Sequence, residues 1–529
     1  MRDFQRPGRS QAMSSEAMAA TSHPLATAAA LDVLRRGGNA VDAAITAVSV
    51  QCVVEPHMTG IGGDCFALLC DADGNVQGIN ASGTAAAAAK SEYFFENGIK
   101  DIGADSVHSI TVPGAVKGWE TMLARHGTWG LDRILEPAIA YAENGFPITP
   151  RVASDWSGLV DRLARDAGAA RHYLRDGKAP VAGTRHNSPE LGKTLRAIAK
   201  GGAAAFYTGE IAEDIVRTVA QKGSLLSLED FAGFDVIDAE PISSDYHGLT
   251  IVELPPNGQG LTALIMLNVL EEFGIQNMDP NSALRIHLEM EAGRFAYACR
   301  DAAITDPHAM IHDVARLASK DFAKTIAAKI DPDRRNPDLT LPHLPHSDTV
   351  YATVVDRDRN SCSLINSLYH GFGSAIATEK TGIMLQNRGA CFVVEKGHPN
   401  CIDGGKRPMH TIIPGFALKN GRPAMSFGVM GGAYQPVGHA HVVPNIVDYG
   451  MDVQAAIDAP RVFWDDAGAA LQVETTLDAA FCAELEAKGH VVEAAPAPIG
   501  GGQAIWIDWD NGVLVGGSDP RKDGCALGY

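Results

Sequence analysis

Four prolines, Pro332, Pro337, Pro342 and Pro345, precede a valine-rich run, and this junction limits the folds open to the chain more than any other feature. These prolines lie among short polar residues from Asp331 to Ser347, a composition that resists regular structure and is expected to be mobile and exposed. Downstream, Thr349 to Asp356 is β-branched and predicts a strand, Arg357 to Asn360 a turn, and Ser361 to Ser367 a returning strand. The plain reading is a linker feeding a hairpin, with Thr349 as a β-former. A hydroxyl residue where an exposed linker becomes a strand is also a place where a chain can cut itself.

Composition narrows the class. A chain of 529 residues at 46% hydrophobic can bury a sizeable core or two joined lobes. The net charge of −19 opposes nucleic-acid phosphates and anionic lipid, so neither is an expected partner. Met1 to Pro7 lacks the apolar core of a signal peptide, and no uninterrupted apolar run is long enough to span a bilayer, which predicts a cytoplasmic protein. Nine cysteines without paired short spacings predict free, mostly buried thiols and no zinc site. The pairs His343/His346 and His439/His441 lack a third ligand at a suitable spacing, so no metal or other cofactor is expected.

Periodicity predicts helices over Leu25 to Arg36, ending at Gly37-Gly38, and from an Asn39 N-cap to about Val54. Thr59 to Asp64 lacks the lysine and spacing of a phosphate loop and is expected to make tight turns. Further helices are expected over Ala115 to Arg125, Leu131 to Asn144, Pro189 to Lys200, Ile211 to Gln221, Gly260 to Phe273 and Ser282 to Arg300. This makes a long helical middle section before strands and glycine turns take over after Thr349. Patterning alone gives mixed α and β.

Several ordered motifs go further. They are Ala20-Thr21-Ser22-His23-Pro24, Gly37-Gly38-Asn39-Ala40-Val41-Asp42, Glu55-Pro56-His57-Met58-Thr59-Gly60-Ile61-Gly62-Gly63-Asp64, the Thr349 strand, Phe372-Gly373-Ser374, Gly405-Lys406-Arg407-Pro408, Gly431-Gly432 and Ser518-Asp519-Pro520-Arg521. Together they resemble the γ-glutamyltranspeptidase family of N-terminal-nucleophile hydrolases, nearly end to end. The resemblance implies a four-layer αββα sandwich. It also implies self-cleavage between Asp348 and Thr349, giving a large subunit of residues 1–348 and a small one of 349–529 that stay associated, with a dimer of such heterodimers as the expected assembly. Thr349 would then be the nucleophile, its freed α-amine, of unperturbed pKa about 8, the base for its own hydroxyl. Ser367 would orient that hydroxyl and the Gly431 and Gly432 N–H groups would hold the oxyanion, although by pattern alone these are a strand serine and a tight turn.

The substrate pocket departs from the family pattern. The arginine that grips the γ-glutamyl α-carboxylate falls at Ser82, and the aspartate that pairs with the α-amine falls at Cys391. Tyr369 replaces an asparagine, and His410-Thr411 replace paired serines. Without a carboxylate partner an α-amino group loses a charge-assisted contact worth about 1.5 to 3 kcal/mol. Arg388 remains as a carboxylate anchor, with Tyr369, His410 and Thr411 as polar neighbours; its alternative is a structural salt bridge. The segments around Tyr369, Gln386 and Lys406 resemble the oxamate amidohydrolase branch, implying a small carboxylate-bearing amide as substrate. The alternatives are a glutathione hydrolase or γ-glutamyltransferase, a glutaryl or cephalosporin-type acylase suited by the short Phe392 to Gly404 loop, and a non-catalytic binding protein.

Overall fold

The computed structural model describes residues 8–341, 344 and 348–529, and the backbone but not the side chain of Asp348. The His343/His346 pair and Met1 to Pro7 lie outside the described residues. Two seven-stranded antiparallel sheets lie face to face. The first runs Cys525–Gly528, Met18–Thr21, Asp348–Val355, Ser361–Tyr369, Asp64–Cys70, Val76–Ala81, Ile237–Ala239. The second runs Ala12–Ser14, Val513–Ser518, Gly501–Asp508, Arg422–Met430, Gly415–Lys419, Leu249–Glu253, Ile242–Tyr246. Strands from before and after Thr349 contribute to both sheets.

The layering follows from side-chain alternation. In Asp64–Cys70, Phe66 and Leu68 point between the sheets toward Val252, Tyr351 and Phe416, while Cys65, Ala67 and Leu69 point outward to the helices. Helices Pro24–Arg35 and Ala40–Val54 cover the outer face of the first sheet; Gly260–Glu271, Ala283–Ala303 and Gln435–Val447 cover that of the second. This is the αββα sandwich.

Helix Ala40–Val54 is buried along its whole length, which suits its alanine and valine content, and its start is fixed by polar contacts. Asn39 Oδ1 accepts the N–H groups of Val41 and Asp42, and the Asp42 carboxylate accepts the Asn39 N–H at 2.9 Å. The same carboxylate takes the N–H groups of Thr128 and Trp129. Two predicted helices end elsewhere. Leu131 to Asn144 is split into Leu131–Ile134 and Glu136–Asn144, with Pro137 opening the second. The helix from Pro189 continues past Lys200 to Tyr207 through a kink at Gly202, whose φ of 67° suits glycine.

The linker is exposed from Asp331 to Arg334, as its composition predicts, but Leu344 is buried and its N–H donates to Asp466 O at 2.8 Å. An apolar side chain thus anchors a segment expected to be free. All nine cysteines are free, five of them buried. Among the described residues no helix is long and apolar enough to cross a membrane. Replacing Asp42 by alanine leaves several buried N–H groups unpaired and is expected to cost about 2 to 3 kcal/mol. Urea unfolding of the two proteins checks this, and an unchanged midpoint would show that the cap is dispensable.

Candidate active site

Thr349 lies near the start of Asp348–Val355, where the pairing shifts from Asp348 opposite Tyr369 to Val350 opposite Asn366. The extra residue falls on the Ser361–Tyr369 strand and brings Ser367 to Thr349, with Oγ1 and Oγ 3.1 Å apart. Ser367 Oγ accepts the Tyr369 N–H at 2.8 Å and an Arg388 N–H at 3.3 Å. With both lone pairs occupied, the serine hydroxyl is oriented as a donor. The strand can sit this close to the Gly60 to Gly63 turn because a Cβ on Gly63 would lie 2.2 Å from Ser367 O.

Across the sandwich, Thr353 Oγ1 donates to Ser426 Oγ at 2.6 Å, and the Tyr351 ring fills the space where Gly428 has no Cβ. Two residues further in the same alternation, Thr349 comes level with Met430, at the edge of Gly431-Gly432. Gly431 (φ 128°) and Gly432 (φ 58°) turn the strand Arg422–Met430 into the short 3₁₀ turn that precedes helix Gln435–Val447. Neither glycine N–H has a hydrogen-bond partner among the described residues. Gln259 Nε2 holds the turn from behind, donating to Gly432 O at 3.0 Å and Thr411 O at 2.6 Å, while Gln259 Oε1 accepts from Arg300.

Arg388 ties these parts together. Its guanidinium, wholly buried, donates to Thr411 Oγ1 at 2.7 Å and Ser367 Oγ, approaches Cys391 Sγ at 3.9 Å, and stacks 4.2 Å from the Tyr369 ring centre. It forms no ion pair among the described residues, and its Nε has no hydrogen-bond partner, so the salt-bridge alternative has no carboxylate to support it. Tyr369 leaves its strand with φ 82°, and burial, reinforced by the Cys391 thiol, holds its hydroxyl well above the ordinary tyrosine range. Tyr369, Cys391, Thr411, Arg300, Asp301 and Ala433 line an adjoining cavity of about 400 Å³.

His410 and Ser82 are placed differently from the pocket the family pattern implies. His410 Nε2 lies 3.2 Å from Asp64 Oδ2, and its Nδ1 accepts the Ile412 N–H, so neither ring nitrogen is directed at the cavity. Burial, with the Arg388 charge beside it, pushes the imidazole down to about 3, hence neutral with the proton on Nε2. Asp64 Oδ1 also accepts from Gly83 N, Gly114 N and Gln386 Nε2. Ser82 Oγ accepts from Asn257 Nδ2 at 3.0 Å, and its carbonyl takes the Arg407 Nε–H. Asp64, Gln259 and Arg300 thus support or line the site without having been singled out from sequence. Asp64 closes a quoted motif; for the other two, nothing local marks the role.

His439 and His441 are not a metal pair: each meets its own buried glutamate, Glu253 at 2.6 Å and Glu289 at 3.0 Å. No cluster of three or more candidate metal ligands occurs among the described residues. Because folded His410 protonates near pH 3 and an unfolded histidine near 6.5, the unfolded chain binds the extra proton in between. His410 therefore contributes stability above pH 6.5 that is lost as pH falls toward 3. The loss of urea midpoint between pH 7 and pH 5 should shrink in His410→Gln; an equal loss would contradict a neutral His410.

The gamma-glutamyltranspeptidase family profile matches residues 26–529. The glutathione hydrolase-like YwrD proenzyme of Bacillus subtilis (strain 168) is 37% identical, over 97% of this chain and 98% of its own. The oxamate amidohydrolase proenzyme of Klebsiella pneumoniae subsp. pneumoniae is 34% identical, over 98% and 99%. The cephalosporin acylase from Bacillus halodurans superposes with a TM-score of 0.93 at 37% identity, covering 100% of this chain and 99% of that one. Profile, relatives and fold agree from end to end: the chain belongs to the gamma-glutamyltranspeptidase family and is an N-terminal-nucleophile hydrolase of the amidohydrolase and acylase kind.

Proposed function

We propose that the chain cuts itself between Asp348 and Thr349 and then hydrolyses an amide whose acyl group carries a carboxylate, with oxamate as the reference compound. In the first reaction the Thr349 hydroxyl attacks the Asp348 carbonyl, an ester replaces the peptide bond, and water frees the Thr349 amine. In the second, that amine takes the hydroxyl proton as Thr349 Oγ1 attacks the substrate carbonyl. Ser367 orients the nucleophile and the Gly431 and Gly432 N–H groups receive the oxyanion, donors of a kind typically worth about 3 kcal/mol each in the transition state. The amine leaves with the proton and water hydrolyses the acyl ester. The interleaved strands keep the fragments 1–348 and 349–529 together, and a dimer of heterodimers remains our expectation. Nine free thiols suit a reducing cytoplasm.

The observation that carries the substrate reading is the buried Arg388 guanidinium, without a carboxylate partner among the described residues and hydrogen-bonded to Ser367, which itself meets Thr349. An uncompensated buried cation is costly, and a substrate carboxylate reaching it past Tyr369 relieves that cost. At the family's amine-binding position stands Cys391, which cannot pair with an ammonium as a carboxylate does. His410 supports this pocket through Asp64 while Thr411 and Tyr369 face the ligand. A longer acyl chain such as glutaryl is the second reading, because a cavity of about 400 Å³ exceeds what a two-carbon acyl group fills.

Oxamate, a glutaryl amide and a γ-glutamyl anilide assayed side by side decide between these. The expected order puts either carboxylate-only acyl group above γ-glutamyl, and superior γ-glutamyl turnover would contradict the Arg388 and Cys391 argument. Arg388→Ala should raise KM for the carboxylate-bearing substrate by about 10- to 100-fold; an unchanged KM would return Arg388 to a structural role.

A further inference from the structure

Cys391 differs from the other buried thiols in what surrounds it. Arg388 and Cys391 open and close one turn of 3₁₀ helix, Arg388–Cys391, and side chains three apart on such a turn eclipse one another. The Arg388 Nη1 accordingly lies 3.9 Å from Cys391 Sγ, and the Tyr369 hydroxyl sits beside the same sulfur. Cys391 also lines the cavity of about 400 Å³, whose rim carries the exposed Asp101 and Glu395, so a small solute has a way in.

The remaining buried thiols lack this setting. Cys52, Cys65 and Cys362 sit in the layer between the first sheet and its helices, where burial pushes their thiols far up. Cys70 lines a cavity too, but burial and then the Asp71 carboxylate push it up to about 12. A thiol is open to modification where it is reachable and faces a positive charge. Arg388 adds a drive of its own. It is wholly buried, its Nε has no hydrogen-bond partner and it forms no ion pair among the described residues, so an anion made at Sγ is stabilised as it forms. Cys299 and Cys401, half-buried beside Lys329 and Lys406, serve as internal controls.

We propose that Cys391 is an oxidation site: a peroxide entering the acyl cavity converts its thiol to the sulfinate, and the new anion holds Arg388 and shuts the carboxylate-binding position. The chemistry takes two steps of the same kind. In each, a sulfur–oxygen bond forms, the peroxide O–O bond breaks and water leaves; sulfur gives up two electrons and the peroxide takes them. The first step gives the sulfenic acid, which thiols reverse, and the second gives the sulfinic acid, which loses its proton to solvent. An oxygen added on the side facing Nη1 closes the 3.9 Å gap to a charge-assisted hydrogen bond. The oxidation site stands whatever acyl group the enzyme removes; its effect on turnover rests on Arg388 as the carboxylate anchor.

The test titrates purified wild-type enzyme with hydrogen peroxide and maps its peptides by mass, which depends on no variant folding. The peptide containing Cys391 should gain two oxygens before any other cysteine, Cys299 and Cys401 included, is half oxidised. In parallel, kcat/KM for the carboxylate-bearing substrate should fall at least about tenfold through a rise in KM, while Cys391→Ser keeps its own starting value through the same treatment. Cys391→Asp carries the anion from the start and should show the raised KM without peroxide. Earlier oxidation at another cysteine, or an equal fractional loss in wild type and Cys391→Ser, would overturn the proposal. Cys391 oxidised first with KM unchanged would overturn the shut-off, and an unchanged KM in Cys391→Asp as well would place the fault with Arg388 as anchor.

Discussion

The site hangs on hydrogen bonds that converge on one buried guanidinium. Arg388 joins Ser367, and through it Thr349, to Thr411, and the Thr411 carbonyl shares the Gln259 amide with Gly432. Thr349, Arg388 and the Gly431-Gly432 turn, the nucleophile, carboxylate anchor and oxyanion site of the proposed function, therefore sit on three different segments that one network holds in register. Such a network tolerates burial only if its polar members are satisfied. Among the described residues, Arg388 Nε and the two glycine N–H groups are the network's unsatisfied positions, where under the proposed function a substrate carboxylate and a developing oxyanion would complete it.

The sheets make this possible. The central strands of the first sheet divide their side chains between an alanine- and valine-rich helical layer and the packed space between sheets, and the alternation of Thr353 with Ser426 and Tyr351 with Gly428 sets Thr349 level with the start of the turn. Met18–Thr21, from early in the chain, lies between Asp348–Val355 and Cys525–Gly528. A break ahead of Thr349 would fall outside those pairings, which run over Ala352 to Val355 and Cys525 to Gly528.

What could be read from the sequence follows from how locally each feature is encoded. The hairpin after the linker was legible because Arg357 to Asn360 mark its turn, and the long buried helix because Asn39 caps it. Asp64–Cys70 went unseen because both its faces are covered: all seven residues are buried, no polar alternation survives, and seven apolar-rich residues suit helix or strand equally. Leu344 breaks the expectation of a free linker through a single apolar contact that composition averages away. Within the site, Thr349, Ser367, Gly431 and Gly432 came from motif resemblance; the structure sets Ser367 Oγ 3.1 Å from Thr349 Oγ1, and the strand alternation puts Thr349 level with Met430, next to the glycine turn. The turn of His410 toward Asp64, and the support from Gln259 and Arg300, depend on contacts across 346, 173 and 41 residues of chain, for which a single sequence holds no signal.

The central claim is that Thr349 becomes an N-terminus. Intact mass under denaturing conditions, taken on freshly purified protein and on Thr349→Ala, reads this directly. The account predicts two fragments from the wild type, corresponding to residues 1–348 and 349–529, and one uncut chain from the variant. A single uncut chain from both, or a cut at another bond, would contradict it.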